Sequence, residues 1–272
     1  IIPSLIFLYI LKNSKHNIIV TIKELLNSQL GIFLNICVLI TIMILSITTF
    51  NYVNDFTKTI FLDKSPKLYI CLILILPIIY SINHNIKTLA RFSLFILYIS
   101  LFFIIISNIG LLHSFKLPIT QPNFSSNITS FFKSVFIVFC YCSLPIYICL
   151  IIPNKEIYFL KSFNKKYILS YILISITLLL ENLLITSNFG YNLSQLYKYP
   201  IFNIFRTITL FGFINRILSI FTIVWIIDMI VTVIYCFYYF KIFSKTYFKK
   251  FHEIKFKYKY QIFAFIFLLL IN

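Results

Sequence analysis

The chain has 272 residues, of which 60% are apolar and 11% charged, and its mean hydropathy is +0.96. So few polar side chains cannot cover a water-soluble globule, so composition alone predicts an integral membrane protein and excludes one large soluble domain. Against 24 Lys and Arg stand only 7 acidic residues, for a net charge of +17, but the basic residues punctuate short connections instead of forming the continuous surface a nucleic-acid reader needs.

In chain order, residues 1–11 form an apolar run about half as long as the roughly 20 residues a spanning helix requires. The run begins without Met and lacks the basic leader and small-residue cleavage site of a signal peptide, so it reads as a partial span. Full spans are expected at residues 31–54, 67–83, 88–112, 132–152, 167–187 and 211–240, with a second partial span at 261–271. The expectation is an all-α, multi-pass membrane protein. Residues 1–272 would form a single transmembrane domain with six full spans and two partial ones, cut inside a helix at both ends.

Alternate connections must share a side of the membrane. Those at 12–30, 84–87, 153–166 and 241–259, with the helix ends that flank them, hold 16 of the 24 Lys and Arg. The positive-inside rule therefore puts them in the cytoplasm, with residues 113–131 and 188–210 outside. Pro118, Pro122 and a run of Asn and Ser mark the first outer connection as one that cannot be helical throughout. In the second, residues 193–199 followed by Pro200 predict a short helix on the outer surface.

Cys37, Cys71, Cys140, Cys142, Cys149 and Cys236 all fall inside apolar runs, where a thiol packs as a small hydrophobe, so neither a disulfide framework nor a zinc cluster is indicated. With 4 Gly and 2 Ala in the chain, small-residue helix seams and phosphate-cradling loops are scarce. Spans must pack through Ile, Leu, Phe and Tyr.

Three places inside the spans carry chemistry. Near the middle of span 132–152, Cys140 and Tyr141 lead into Cys142, Ser143, Leu144 and Pro145. Pro145 cannot donate to the carbonyl of Tyr141, so the helix should kink or open there and offer backbone groups to a ligand. The bland alternative is a plain proline kink, such as Pro77 implies in span 67–83. Span 31–54 carries Thr41, Ser46, Thr48, Thr49 and Asn51. Thr41, Thr48 and, one turn on, Asn51 or Tyr52 fall near one face, and Thr48 and Asn51 are taken as candidate ligand contacts. Their alternative role is interhelical hydrogen bonding worth about 0.6 kcal/mol per contact.

The third place is a pair of acids deep in apolar runs, Glu181 and Asp228. An ionised carboxylate at a helix centre costs about 2.5–3.5 kcal/mol on insertion scales, so each is expected to face a partner, water or a proton path. Asp228 shares a helical face with Trp225, Thr232 and Tyr235. Glu181 lies nearer the outer end, within reach of Arg216 if the two helices are neighbours. Both are candidates for a proton or ion relay, with a structural, hydrogen-bonded acid as the alternative. His16, His84, His113 and His252 all fall in connections on both sides of the membrane, so no catalytic or metal-binding set is expected. Neither a cofactor nor an enzymatic activity is indicated.

Between residues 189 and 225 the chain acquires a more specific pattern. It runs Phe189-Gly190, Tyr199-Pro200, Arg206 followed by Thr207, Gly212-Phe213 leading to Arg216, and Trp225. A second stretch, residues 60–91, has a hairpin at 62–66 ending in Pro66 and a turn ending in Ala90-Arg91. Together these resemble the B-subunit family of spore germination receptors, the endospore germination permeases. The family often has Glu two residues after the position of Arg216, where this chain has Leu218.

The resemblance implies a LeuT-like inverted-repeat transporter fold of the amino acid, polyamine and organocation transporter superfamily. Pro145 would fall in its broken sixth helix, and span 31–54 would be a cavity-lining helix. It also implies a nutrient-sensing subunit, binding a small germinant such as an amino acid, in the inner membrane of a bacterial spore. Its expected partners are an A-type and a lipoprotein C-type receptor subunit. The alternatives are a proton-coupled amino acid transporter and an inert truncated remnant.

Overall fold

A computed structural model describes residues 2–13, 17–26, 28–112, 128–149, 163–207, 214–247 and 258–270. Among them all regular structure is helical: α1 (Ile2–Asn13), α2 (Ile18–Leu25), α3 (Ser28–Ile60), α4 (Lys67–Ile82), α5 (Ile86–Leu112), α6 (Ile128–Cys149), α7 (Phe163–Leu196), α8 (Pro200–Thr207), α9 (Ile214–Tyr247) and α10 (Lys259–Leu270). A helix closes its backbone hydrogen bonds within one segment, which is what a long apolar run in lipid requires. Among the described residues, four stretches are long and apolar enough to cross a membrane: Gln29–Ile60, Ile86–Ile106, Phe163–Gly190 and Thr222–Tyr247. The protein is an all-α, multi-pass membrane protein.

The chain divides into two compact units, residues 1–89, 136–166 and 229–272 in one and residues 90–135 and 167–228 in the other. In the first, α4 buries Ile70, Cys71, Leu74, Ile75, Ile78 and Ile82, a stripe at helical spacing. On α10, Tyr260, Ala264 and Leu268 repeat every four residues on the buried side. An aromatic seam joins α9 to α10: Phe240 stacks on Phe263 at 4.2 Å between ring centroids, and Phe237 meets Phe267 edge-on at 6.0 Å. Large apolar rings thus replace small-residue contacts, as the shortage of Gly and Ala dictates.

Gly31 is the exception. A Cβ there would lie 3.1 Å from the carbonyl oxygen of Ile22 and 3.1 Å from the Cα of Lys23, so only glycine lets α3 approach α2 this closely. Helix α2 itself falls in the connection 12–30 that charge had marked simply as a loop. Asn17 caps it, accepting from the Val20 N–H at 3.1 Å, and Ile18 and Ile19 bury its apolar side.

In the second unit, α7 is interrupted at Gly190, whose φ of 70° and ψ of 170° lie in a region essentially restricted to glycine. The ring of Phe189 packs against Tyr197 at 4.7 Å. Beyond the break at Gly190 a short helical segment runs to Leu196, so a short helix does precede Pro200 as expected, ending three residues earlier than the 193–199 reading had it. A further helix starts at Pro200, with the Asn203 N–H donating to the Tyr199 carbonyl at 3.1 Å. Proline in a first turn loses no hydrogen bond and already has a helical φ, so Pro200 starts a helix where the sequence reading had it stop one. On α6, every described side chain from Ile128 to Cys140 is exposed, a surface for the bilayer.

Candidate functional site

The acid of α9 has a partner that sequence reading did not single out. The Ser100 hydroxyl donates to Asp228 Oδ2 at 2.5 Å, joining α5 to α9 within the second unit. Ser100 lies near the middle of α5 and Asp228 near the middle of α9, so the pair sits at the depth where an unpartnered carboxylate costs most. Asp228 is half-buried, as is Trp225 one turn earlier. A hydroxyl held this close to a carboxylate fixes its orientation and can follow its change of protonation, donating to the anion or accepting from the acid.

Glu181 is half-buried in α7 and makes no hydrogen bond or ion pair among the described residues. The Arg216 side chain, its expected neighbour, lies outside them, so the proposed contact does too.

Helix α3 presents its polar residues differently from the expected face. Thr48 is exposed, and its hydroxyl donates to its own helix, to Ile44 O at 3.1 Å and Leu45 O at 3.0 Å. Thr41 is also exposed and bonds to Val38 O at 2.8 Å. Asn51 is half-buried, with an Oδ1 that is shielded from solvent and has no hydrogen-bond partner among the described residues. The buried stripe runs instead through Asn35, Ile42, Ser46, Phe50, Val53 and Asn54. Thr41 precedes Ile42 by one residue, about 100° around the helix. Of its polar members, Ser46 belongs to the polar group read from the sequence, whereas Asn35 and Asn54 are ones that sequence reading passed over.

The remaining candidates fall as follows. Tyr141, Cys142, Ser143, Leu144 and Pro145 belong to α6, which is helical from Ile128 to Cys149, and their side chains lie outside the described residues. Tyr199 is buried, with the Lys198 ammonium 5.4 Å from its ring centroid, and Pro200 opens α8. Arg206 belongs to α8 and Arg216 to α9, their side chains also outside the described residues. Among the described residues no three His, Cys, Asp or Glu side chains converge on a metal-sized space.

The distinctive local geometry among the described residues is the Ser100–Asp228 hydrogen bond, the glycine-enforced bend at Gly190 and the helix start at Pro200. The family described as spore germination protein matches the chain over residues 1–272. No curated protein and no solved structure matches it. That family comprises membrane permeases and receptors of the cell or spore inner membrane and is not an enzyme family. The chain therefore belongs to the spore germination protein family.

Proposed function

We propose that this protein is the nutrient-sensing membrane subunit of a spore germination receptor, binding an amino acid germinant in a transporter-like cavity of a single transmembrane domain. Membership of the family over the full matched range is the observation that carries this reading. The fold would be the LeuT-like inverted repeat, with the turn from Tyr141 to Pro145 and the Thr48 and Asn51 positions of α3 facing the ligand. Asp228, held by Ser100 at 2.5 Å, would respond to ligand by exchanging a proton, and Glu181 is a second acid available to the same path. A-type and lipoprotein C-type subunits would receive the signal. The permease-like character of the family and the intramembrane acid favour proton-coupled amino acid transport as the second reading.

Radiolabelled amino acids offered to full-length protein in vesicles separate the two. A sensor gives saturable binding and no concentrative uptake under an inward proton gradient, and Asp228→Asn weakens the binding severalfold. Sustained uptake that Asp228→Asn abolishes would replace the sensor with a transporter.

A further inference from the structure

In the first unit, side-chain hydrogen bonds gather at the helix ends that the charge count assigns to the cytoplasm. Asn35 of α3, fully buried, donates its amide to Ile19 O of α2 at 3.0 Å and to the Tyr247 hydroxyl of α9 at 2.7 Å. The Lys23 ammonium of α2 lies 5.7 Å from the Tyr247 ring centroid. Lys241 of α9 donates to Ile82 O at 2.9 Å, and Gln261 of α10 donates to Ile79 O at 2.9 Å. Ser244 of α9 donates to the Tyr260 hydroxyl of α10 at 3.0 Å. Five helices are joined at one end by groups that no sequence motif had marked.

We propose that this junction is a latch, a polar clasp that closes the first unit at that end and releases when the helices part there.

Three features suit it to release. In lipid, apolar faces are no happier against each other than against acyl chains, so helix pairs are selected by polar contacts and packing. The clasp therefore discriminates between open and closed states. Ile79 O and Ile82 O belong to the last turn of α4, whose carbonyls lack intrahelical donors. Lys241 also brings positive charge to the negative end of that helix. When these donors leave, interfacial water can take their place, so opening exposes no dry carbonyl. Finally, Asn35 Oδ1 is buried without a hydrogen-bond partner among the described residues. The closed state thus carries an unsatisfied acceptor that opening would hydrate, which keeps the two states close in free energy.

Cys236 supplies a native reporter. Its thiol lies on α9 and is fully buried, so a thiol reagent modifies it only when the unit opens. The experiment uses full-length protein in vesicles, with modification of Cys236 by a permeant maleimide followed by mass spectrometry. Tyr247→Phe removes the hydroxyl that Asn35 reaches and keeps the ring beside Lys23. Gln261→Leu removes the donor to Ile79 O. Each should raise the modification rate about threefold, the shift an average interhelical hydrogen bond in a membrane corresponds to, and both together about tenfold. Gly31→Ala, which presses on the α2 backbone without deleting a hydrogen bond, should raise it too. Asp55→Asn, which breaks the 2.9 Å ion pair to Lys67 at the opposite end, should leave the rate unchanged. Unchanged rates in the three clasp variants, or an equal rise in Asp55→Asn, would overturn the latch. The readout does not involve nutrient, so it stands or falls separately from the sensing role.

Discussion

Gly190 shows how one residue sets the course of the outer surface. At φ 70° and ψ 170° a side chain would collide with its own backbone, and such conformations cost about 1–3 kcal/mol when imposed on other residues. Gly190→Ala should therefore lower the thermal unfolding midpoint of the detergent-purified protein by several degrees. It should also loosen the 4.7 Å packing of Phe189 on Tyr197. An unaltered midpoint would mean that the bend is not required. Sequence marked Gly190 through its family motif, yet it could not tell which polar residues of α3 face inward. A Thr hydroxyl finds an acceptor in the preceding turn of its own helix, as Thr41 and Thr48 do, and so can face lipid at little cost. Asn35 carries two donors and an acceptor, and it turns to α2 and α9 for partners. Ser100 gave no signal, because a lone serine in an apolar run becomes meaningful only once Asp228 is seen opposite it.

Long helices were the most legible part of the sequence, because apolar runs of that length signal a helix before any partner is known. The short elements depended on local chemistry. Asn17 ahead of Ile18 and Ile19 is an N-cap signal that would have revealed α2 inside a connection read only for its charge. Pro200 needed the opposite reading, as a helix start. The interior prolines remain a matter of function. Pro77 lies inside α4 and removes the N–H that would bond to Ile73 O, with the buried stripe of α4 continuing on both sides of it. Pro145 lies within α6 and would free the carbonyl of Tyr141. An interior proline costs roughly 3 kcal/mol in a helix, so Pro145→Ala should preserve or raise stability while weakening the nutrient response. Pro77→Ala should leave the nutrient concentration for half-maximal germination nearly unchanged. Spores with equal amounts of each variant in the membrane provide the comparison. A wild-type response from Pro145→Ala would move the ligand away from α6.

At the scale of the whole molecule, charge and geometry bear on the same question from different directions. The positive-inside count weighs each connection separately and puts residues 84–87 and 241–259 on the cytoplasmic side. The contacts of Lys241 with Ile82 and of Gln261 with Ile79 bring the end of α4, the end of α9 and the start of α10 together. Between Ile82 and Lys241 the chain passes through four long helices, α5, α6, α7 and α9, and on the expected topology, in which each of them crosses, the chain would return to the side it left. An odd number would set these ends a membrane thickness apart, so the contacts are compatible with the parity that the charge count assumes. Cysteines placed at two exposed positions convert this into a measurement: Lys64→Cys, in the turn between α3 and α4, and Asn85→Cys, between α4 and α5. An impermeant maleimide added outside intact cells should label the first and spare the second until the membrane is opened. The reverse pattern would keep the parity and invert the orientation. Labelling of both from outside would mean that α4 does not cross, and the charge-based assignment of sides would fall with it.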